Sequence, residues 1–178
     1  FSIFLSHNFG EEQVGLYQLI FPFYALCLSL STSGLETAIS RSVSRFHSLG
    51  RRQDGKLIFQ TGLILSVMIS LLCTFLVQKN SVFLANRFLG DPRCATLLYL
   101  IVLALPAASV HSCICGYYYG LQNTSVPAIS QLIEQSLRIS SVFILYFIFV
   151  RKGIRPEIRL AVSGIIFGEL AAAGYSLF

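Results

Sequence analysis

Apolar residues run along this chain in long unbroken blocks rather than in the short rhythm of a half-buried helix or strand. No Asp, Glu, Lys or Arg occurs between Glu12 and Glu36 or between Lys56 and Lys79. From Arg93 to Glu134 the only titratable side chains are His111, cysteines and tyrosines. Each block exceeds the ~20 residues that a helix rising 1.5 Å per residue needs to cross a hydrocarbon layer of ~30 Å. A soluble bundle would carry charged outer faces at 3.6-residue spacing, whereas these blocks are apolar all round. The pattern predicts an all-α, polytopic membrane helix bundle.

The blocks and their punctuation divide the chain into six stretches. Residues 1–5 read as the end of a first span, and full spans are expected at 15–47, 57–78, 95–119, 127–150 and 160–178. Pro22 and Pro106 are expected to bend their helices. Pro127 falls in a first turn, where a missing N–H costs nothing. Gly50 and the polar run after it end the 15–47 helix, which carries Arg41 and Arg45 at i,i+4. The stretch "VFLANRFL" fits a short helix lying along the interface. Tyr117, Tyr118 and Tyr119 stand where an aromatic belt would be. Small residues from Ala171 to Gly174 suit close helix packing in lipid. The chain starts and stops inside apolar runs, so it is expected to be a fragment of a longer membrane protein.

Composition supports this picture. Hydrophobic residues make up 54% of 178, charged residues 12%, and mean hydropathy is +0.71, against roughly 25% charged in soluble domains. The net charge of +5 lies in short connections between spans, which argues for membrane topology rather than a nucleic-acid partner. Charge does not orient the bundle: 41–56 is basic, yet Lys79, Arg87, Arg93, Arg151, Lys152, Arg155 and Arg159 gather on the opposite side. Of five cysteines, Cys113 and Cys115 form C-x-C without further ligands at metal spacing, so no metal site is expected.

One span breaks the apolar rule. Gln131, Glu134, Gln135 and Arg138 occupy i, i+3, i+4 and i+7, an arc of roughly 100°. A charge near mid-membrane costs ~2.5–3.5 kcal/mol, so an acid and a base on one face either pair towards a polar interior or snorkel at the interface. The interior reading joins this stripe to Glu36 and Arg41 and to Glu169 in the last span. Such a cavity suits an amphiphilic anion or a coupling ion, H⁺ or Na⁺. No G-x-S-x-G, H-E-x-x-H or phosphate-binding loop occurs, and the three histidines sit in different segments, so an enzyme is not expected. His111, alone inside a span, reads as a helix–helix hydrogen bond.

The runs "GLYQLIFPFYALCLSLSTSGLETAISRSVSRF" and "GYYYGLQNTSVPAISQLIEQSLR", with "LGDPR" before the second, resemble the stage V sporulation protein B and polysaccharide-transporter branch of the multidrug/oligosaccharidyl-lipid/polysaccharide exporter (MATE-like) superfamily. The resemblance implies two six-helix lobes, of which this chain holds most of the N-terminal one, in a multi-pass transporter of the cytoplasmic membrane. It implies that the second lobe and a lipid-linked sugar are the partners, that alternating access moves the sugar, and that 41–56 and 121–126 are cytoplasmic. It implies further that Arg41 and Arg138 meet the pyrophosphate of the lipid carrier, with Glu134 as internal partner or proton site; Gln131 and Gln135 join the substrate cavity from the stripe alone. Glu36 and Glu169 are additional cavity or ion-coupling candidates. Two positions depart from the family pattern: Cys115 stands where relatives usually have Arg, and Glu36 where many have Pro. A cation-coupled multidrug exporter and a membrane-embedded envelope-assembly glycosyl transferase or scaffold are the competing readings.

Overall fold

A computed structural model describes residues 11–151 and 159–177. The expected remnant of a first span at 1–5 and the basic loop 152–158 lie outside them. The described residues form helices and short connections. Helix α1 is Glu11–Ser48, α2 Arg52–Lys79 and α3 Ser81–Leu84, the last continued by a wider π turn, Ala85–Leu89. Helices α4 (Cys94–Ile101) and α5 (Leu105–Gly120) are joined by a tight 3₁₀ turn, Val102–Ala104, and together make one span. Helix α6 is Ser125–Arg151 and α7 is Arg159–Leu177. Among the described residues four stretches are long and apolar enough to cross a membrane: α1, α2, α4–α5 and α6. The expected 160–178 span falls on α7, 19 residues long, which is not one of those four.

Helix α2 displays the logic of a lipid-facing bundle. Its buried residues include Gly55, Ser66, Ser70 and Thr74, while Ile64, Leu65, Met68, Leu72 and Phe75 are exposed. In water that inversion would leave a large apolar patch bare; in a bilayer the acyl chains cover it. The inward hydroxyls serve as ties. Ser66 donates to the Ser31 carbonyl at 3.4 Å, Ser70 and Ser109 hydroxyls lie 3.1 Å apart, and Thr74 donates to the Val102 carbonyl at 3.1 Å. The last contact explains the irregularity between α4 and α5. Pro106 has no N–H to offer Val102 four residues earlier, and that carbonyl instead takes the Leu105 N–H across the 3₁₀ turn and the Thr74 hydroxyl. Pro22, by contrast, sits inside α1 without ending it.

Helix α1 packs on α2 and α5, α7 packs along α6, and α5 bridges to α7. Between helices in lipid, close approach rather than transfer from water supplies the attraction. Two glycine pairs permit it. A Cβ on Gly116 or Gly120 would lie 2.8 Å from the Glu36 carbonyl oxygen or 2.7 Å from that of Ser40, so α5 touches the backbone of α1. On Gly164 or Gly168 it would meet Val142 at 2.5 Å or the Glu134 carbonyl at 3.1 Å, so α7 lies directly on α6. The patch from Ala171 to Gly174 differs from its expectation at one end: Ala172 and Ala173 are buried, but Gly174 faces open space. The tyrosine belt differs too. Tyr119 is exposed, while Tyr117 turns inward with its ring 4.9 Å from that of Phe59.

Candidate functional site: a buried charged cluster between four helices

Gly164 and Gly168 bring α7 against the stretch of α6 that carries Glu134 and Arg138, and Glu169 follows Gly168 into the same space. Glu134 lies nine residues into α6 and Glu169 ten into α7, ~14–15 Å along each axis and far from either end. Their side chains are 11% and 8% exposed, and that of Arg138 is 14% exposed. These groups therefore sit within the bundle rather than at its rim.

Arg138 forms an ion pair with Oε1 of Glu134. Its Nε is buried with no hydrogen-bond partner among the described residues. The Tyr24 hydroxyl, from α1, donates to Oε1 of Glu169 at 3.4 Å. His111, from α5, faces both remaining oxygens, with Nδ1 4.0 Å from Glu134 Oε2 and 3.9 Å from Glu169 Oε2. Its Nε2 lies 2.9 Å from the Ser130 hydroxyl, which itself donates to the Pro127 carbonyl at 2.9 Å. His111 thus bridges Ser130 on one side and the two carboxylates on the other, its two ring nitrogens facing different helices. One imidazole nitrogen and two carboxylate oxygens converge within 4.8 Å of one another. Two ionised carboxylates against a single guanidinium leave the group one positive charge short of neutrality, which a proton, on His111 or on a carboxylate, or a monovalent cation would supply.

A cavity of about 360 Å³ opens beside this cluster, lined by Glu36, His111, Ser112, Gln131, Glu134 and Glu169 among others. Glu36 accepts the Ser112 hydroxyl at 2.6 Å, and Cys115 reaches the Ser130 hydroxyl at 4.0 Å. Glu36 and Cys115 therefore both line this space. A second cavity of about 280 Å³, between α1 and α6, is lined by Tyr17, Gln18, Phe21, Pro22, Gln135, Arg138 and Ile139. The polar stripe straddles the crest between the two: Gln131 and Glu134 face one, Gln135 and Arg138 the other.

Arg41 is not brought in. It follows Glu36 by five residues, a turn of ~140° around the helix, and it is exposed and lines neither cavity. His111, Tyr24 and Ser130 are the participants that the spacing pattern did not single out for this cluster. For His111 half the expectation describes what is seen, since its Nε2 does make a helix–helix hydrogen bond. The other nitrogen points at the acids.

Across its whole length, residues 1–178, the sequence matches the family model described as polysaccharide biosynthesis protein. The chain belongs to that family. Its relatives include Stage V sporulation protein B of Bacillus subtilis (strain 168), 33% identical over 97% of this chain and 33% of the relative. Lipid II flippase MurJ of the same organism is 26% identical over 92% of this chain and 31% of that protein. Uncharacterized membrane protein YabM, again from that organism, is 29% identical over 92% and 30%. This member of the polysaccharide biosynthesis family thus spans about a third of the length of the curated relatives it matches. No solved structure matches. Membership and the apolar helices together make the chain part of a multi-pass membrane protein.

Proposed function

We propose that this chain is part of a transporter that moves a lipid-linked oligosaccharide or peptidoglycan precursor across the cell membrane by alternating access, with a second lobe forming the opposite wall of the path. The observation that carries the reading is the paired, buried charge of Glu134 and Arg138 between two cavities at mid-bundle. The name of one relative, a lipid II flippase, supports the substrate class. Ionisable groups held inside a membrane bundle mark substrate or ion pathways, and nothing in the cluster resembles a catalytic arrangement.

In this reading Arg138 is the phosphate-binding cation, since its planar guanidinium offers forked donors to phosphate oxygens. Its Nε is free while Glu134 holds another of its nitrogens, so an arriving pyrophosphate competes with Glu134 for the same fork. Gln131 and Gln135 supply neutral donors on either side. Arg41 would act at the mouth of the path, not in the cluster. The test is precursor translocation by the full-length protein: Arg138→Ala should abolish it while membrane insertion persists. Normal translocation in that variant would refute the assignment.

A second reading is favoured by the convergence of one imidazole nitrogen and two carboxylate oxygens. A cation-coupled exporter would hold H⁺ or Na⁺ at Glu134 and Glu169, with Glu36 as a further acid. Glu169→Gln separates the two readings, because it should uncouple drug efflux from the ion gradient in the second and spare phosphate recognition in the first.

A further inference from the structure

A further cavity lies away from the charged cluster, at the end of the bundle where α1 turns into α2 and α5 into α6. It encloses about 420 Å³. Val43, Tyr117 and Leu121 give it an apolar floor, continuous with Ile39, Cys113, Phe59 and Leu63 beneath. Its rim carries His47, Arg52, Gln53, Lys56 and Asn123, with no carboxylate among the lining residues.

The distribution of charge at this rim is specific. Of two adjacent arginines, Arg51 is engaged: it pairs with Asp54 at 2.6 Å and lies over the Phe46 ring at 5.7 Å. Arg52 and Lys56, at i,i+4 on one face of α2, have no ion-pair partner among the described residues. Gly55 between them is buried, and a Cβ there would lie 3.9 Å from that of Phe46, so the first turn of α2 packs against α1 while Arg52 and Lys56 line the cavity. A pocket with an apolar floor and a cationic rim, placed where helices end, is complementary to one chemistry: a negatively charged phosphate attached to an apolar body. Basic pockets between spanning helices hold anionic lipid headgroups on these grounds.

We infer that this cavity binds the phosphodiester of an anionic membrane lipid, with the phosphate between Arg52 and Lys56 and the glycerol-ester end against Val43, Tyr117 and Leu121. A zwitterionic lipid brings its own quaternary cation to a rim that is already cationic, so it binds more weakly. The inference stands apart from the proposed transport path, since none of these residues lines the cavities around Glu134 and Arg138.

The test uses the full-length protein in detergent and acyl-chain-labelled phosphatidylglycerol, with phosphatidylcholine as comparator. Phosphatidylglycerol should bind in preference. Arg52→Gln and Lys56→Gln should each weaken it about fivefold, from the loss of one near-surface cation, and leave phosphatidylcholine unchanged. Arg45→Gln removes the same charge from an exposed position at the same end but outside the cavity, and should weaken binding less than about twofold at physiological salt. Equal losses in Arg45→Gln and Arg52→Gln, or equal binding of the two lipids, would overturn the proposal. Inorganic phosphate in excess should leave the labelled lipid in place; displacement by phosphate alone would overturn the lipid assignment.

Discussion

Replacing Arg138 by Gln and replacing Glu134 by Gln remove the same ion pair, yet the cluster around them makes the two changes unequal. Glu134→Gln leaves Arg138 with one carboxylate nearby, Glu169, so the remaining charges balance. Arg138→Gln leaves Glu134 and Glu169 facing each other beside His111, with no guanidinium in the group. Loss of a charge-assisted hydrogen bond costs about 1.5–3 kcal/mol, whereas removing the partner of a buried charge costs about 3–5 kcal/mol. Arg138→Gln should therefore be the more destabilising by about 2 kcal/mol. The double variant should be milder than Arg138→Gln alone, because it removes the orphaned charge as well as its partner. Thermal unfolding of the four proteins in one detergent gives the comparison as a double-mutant cycle. If Glu134→Gln proved the worse of the two, or if the two effects simply added, the shared cluster would be wrong.

Three further outcomes follow from the packing. Gly120→Ala should cost about 1–3 kcal/mol, since its methyl would press on backbone of α1 at 2.7 Å, while Gly174→Ala, in open space, should be neutral or mildly stabilising; thermal melts decide. Thr74→Val keeps its shape but loses the hydroxyl on the Val102 carbonyl, and should cost about 0.6 kcal/mol, the average for such bonds in membranes, by the same assay. Ile64→Arg, on the exposed face near the centre of α2, should raise the insertion free energy by roughly 2.5–3.5 kcal/mol, read as reduced membrane integration in a glycosylation-reporter assay.

Helices long and apolar enough to cross a membrane were legible because bilayer thickness writes itself into the sequence as charge-free length, but their ends were less so: α2 stops at Lys79, whereas α1 runs well past Glu36 and α5 ends at Gly120 inside a charge-free stretch. The stripe on α6 was legible as well, since four polar residues at helical spacing define a face without any tertiary knowledge. What that face meets was not. His111 is a single residue with no periodic partner, and only the packing of α5 on α6 reveals that one ring nitrogen is committed to Ser130 and the other aimed at Glu134 and Glu169. Tyr24 and Glu169 are 145 positions apart, a separation at which periodicity says nothing. Arg41 was grouped with Glu36 by proximity in sequence, although five residues turn a helix by more than a third of a circle. The pairs Gly116/Gly120 and Gly164/Gly168 have the i,i+4 spacing of a close helix contact, and each meets its neighbouring helix. The tyrosines beside the first pair share their faces with a neighbouring helix and the cavity, not with the interface alone.

The central claim is that the polar face of α6 looks onto a hydrated internal space while its opposite face meets lipid. Adjacent positions test it most directly: Gln131 lines the cavity beside Glu134, and Leu132 is 68% exposed on the outer surface. In a cysteine-free full-length protein in membranes, Gln131→Cys should react with a water-soluble maleimide and Leu132→Cys should not, since thiolate chemistry needs water. Reaction at position 132 with none at 131 would contradict the account.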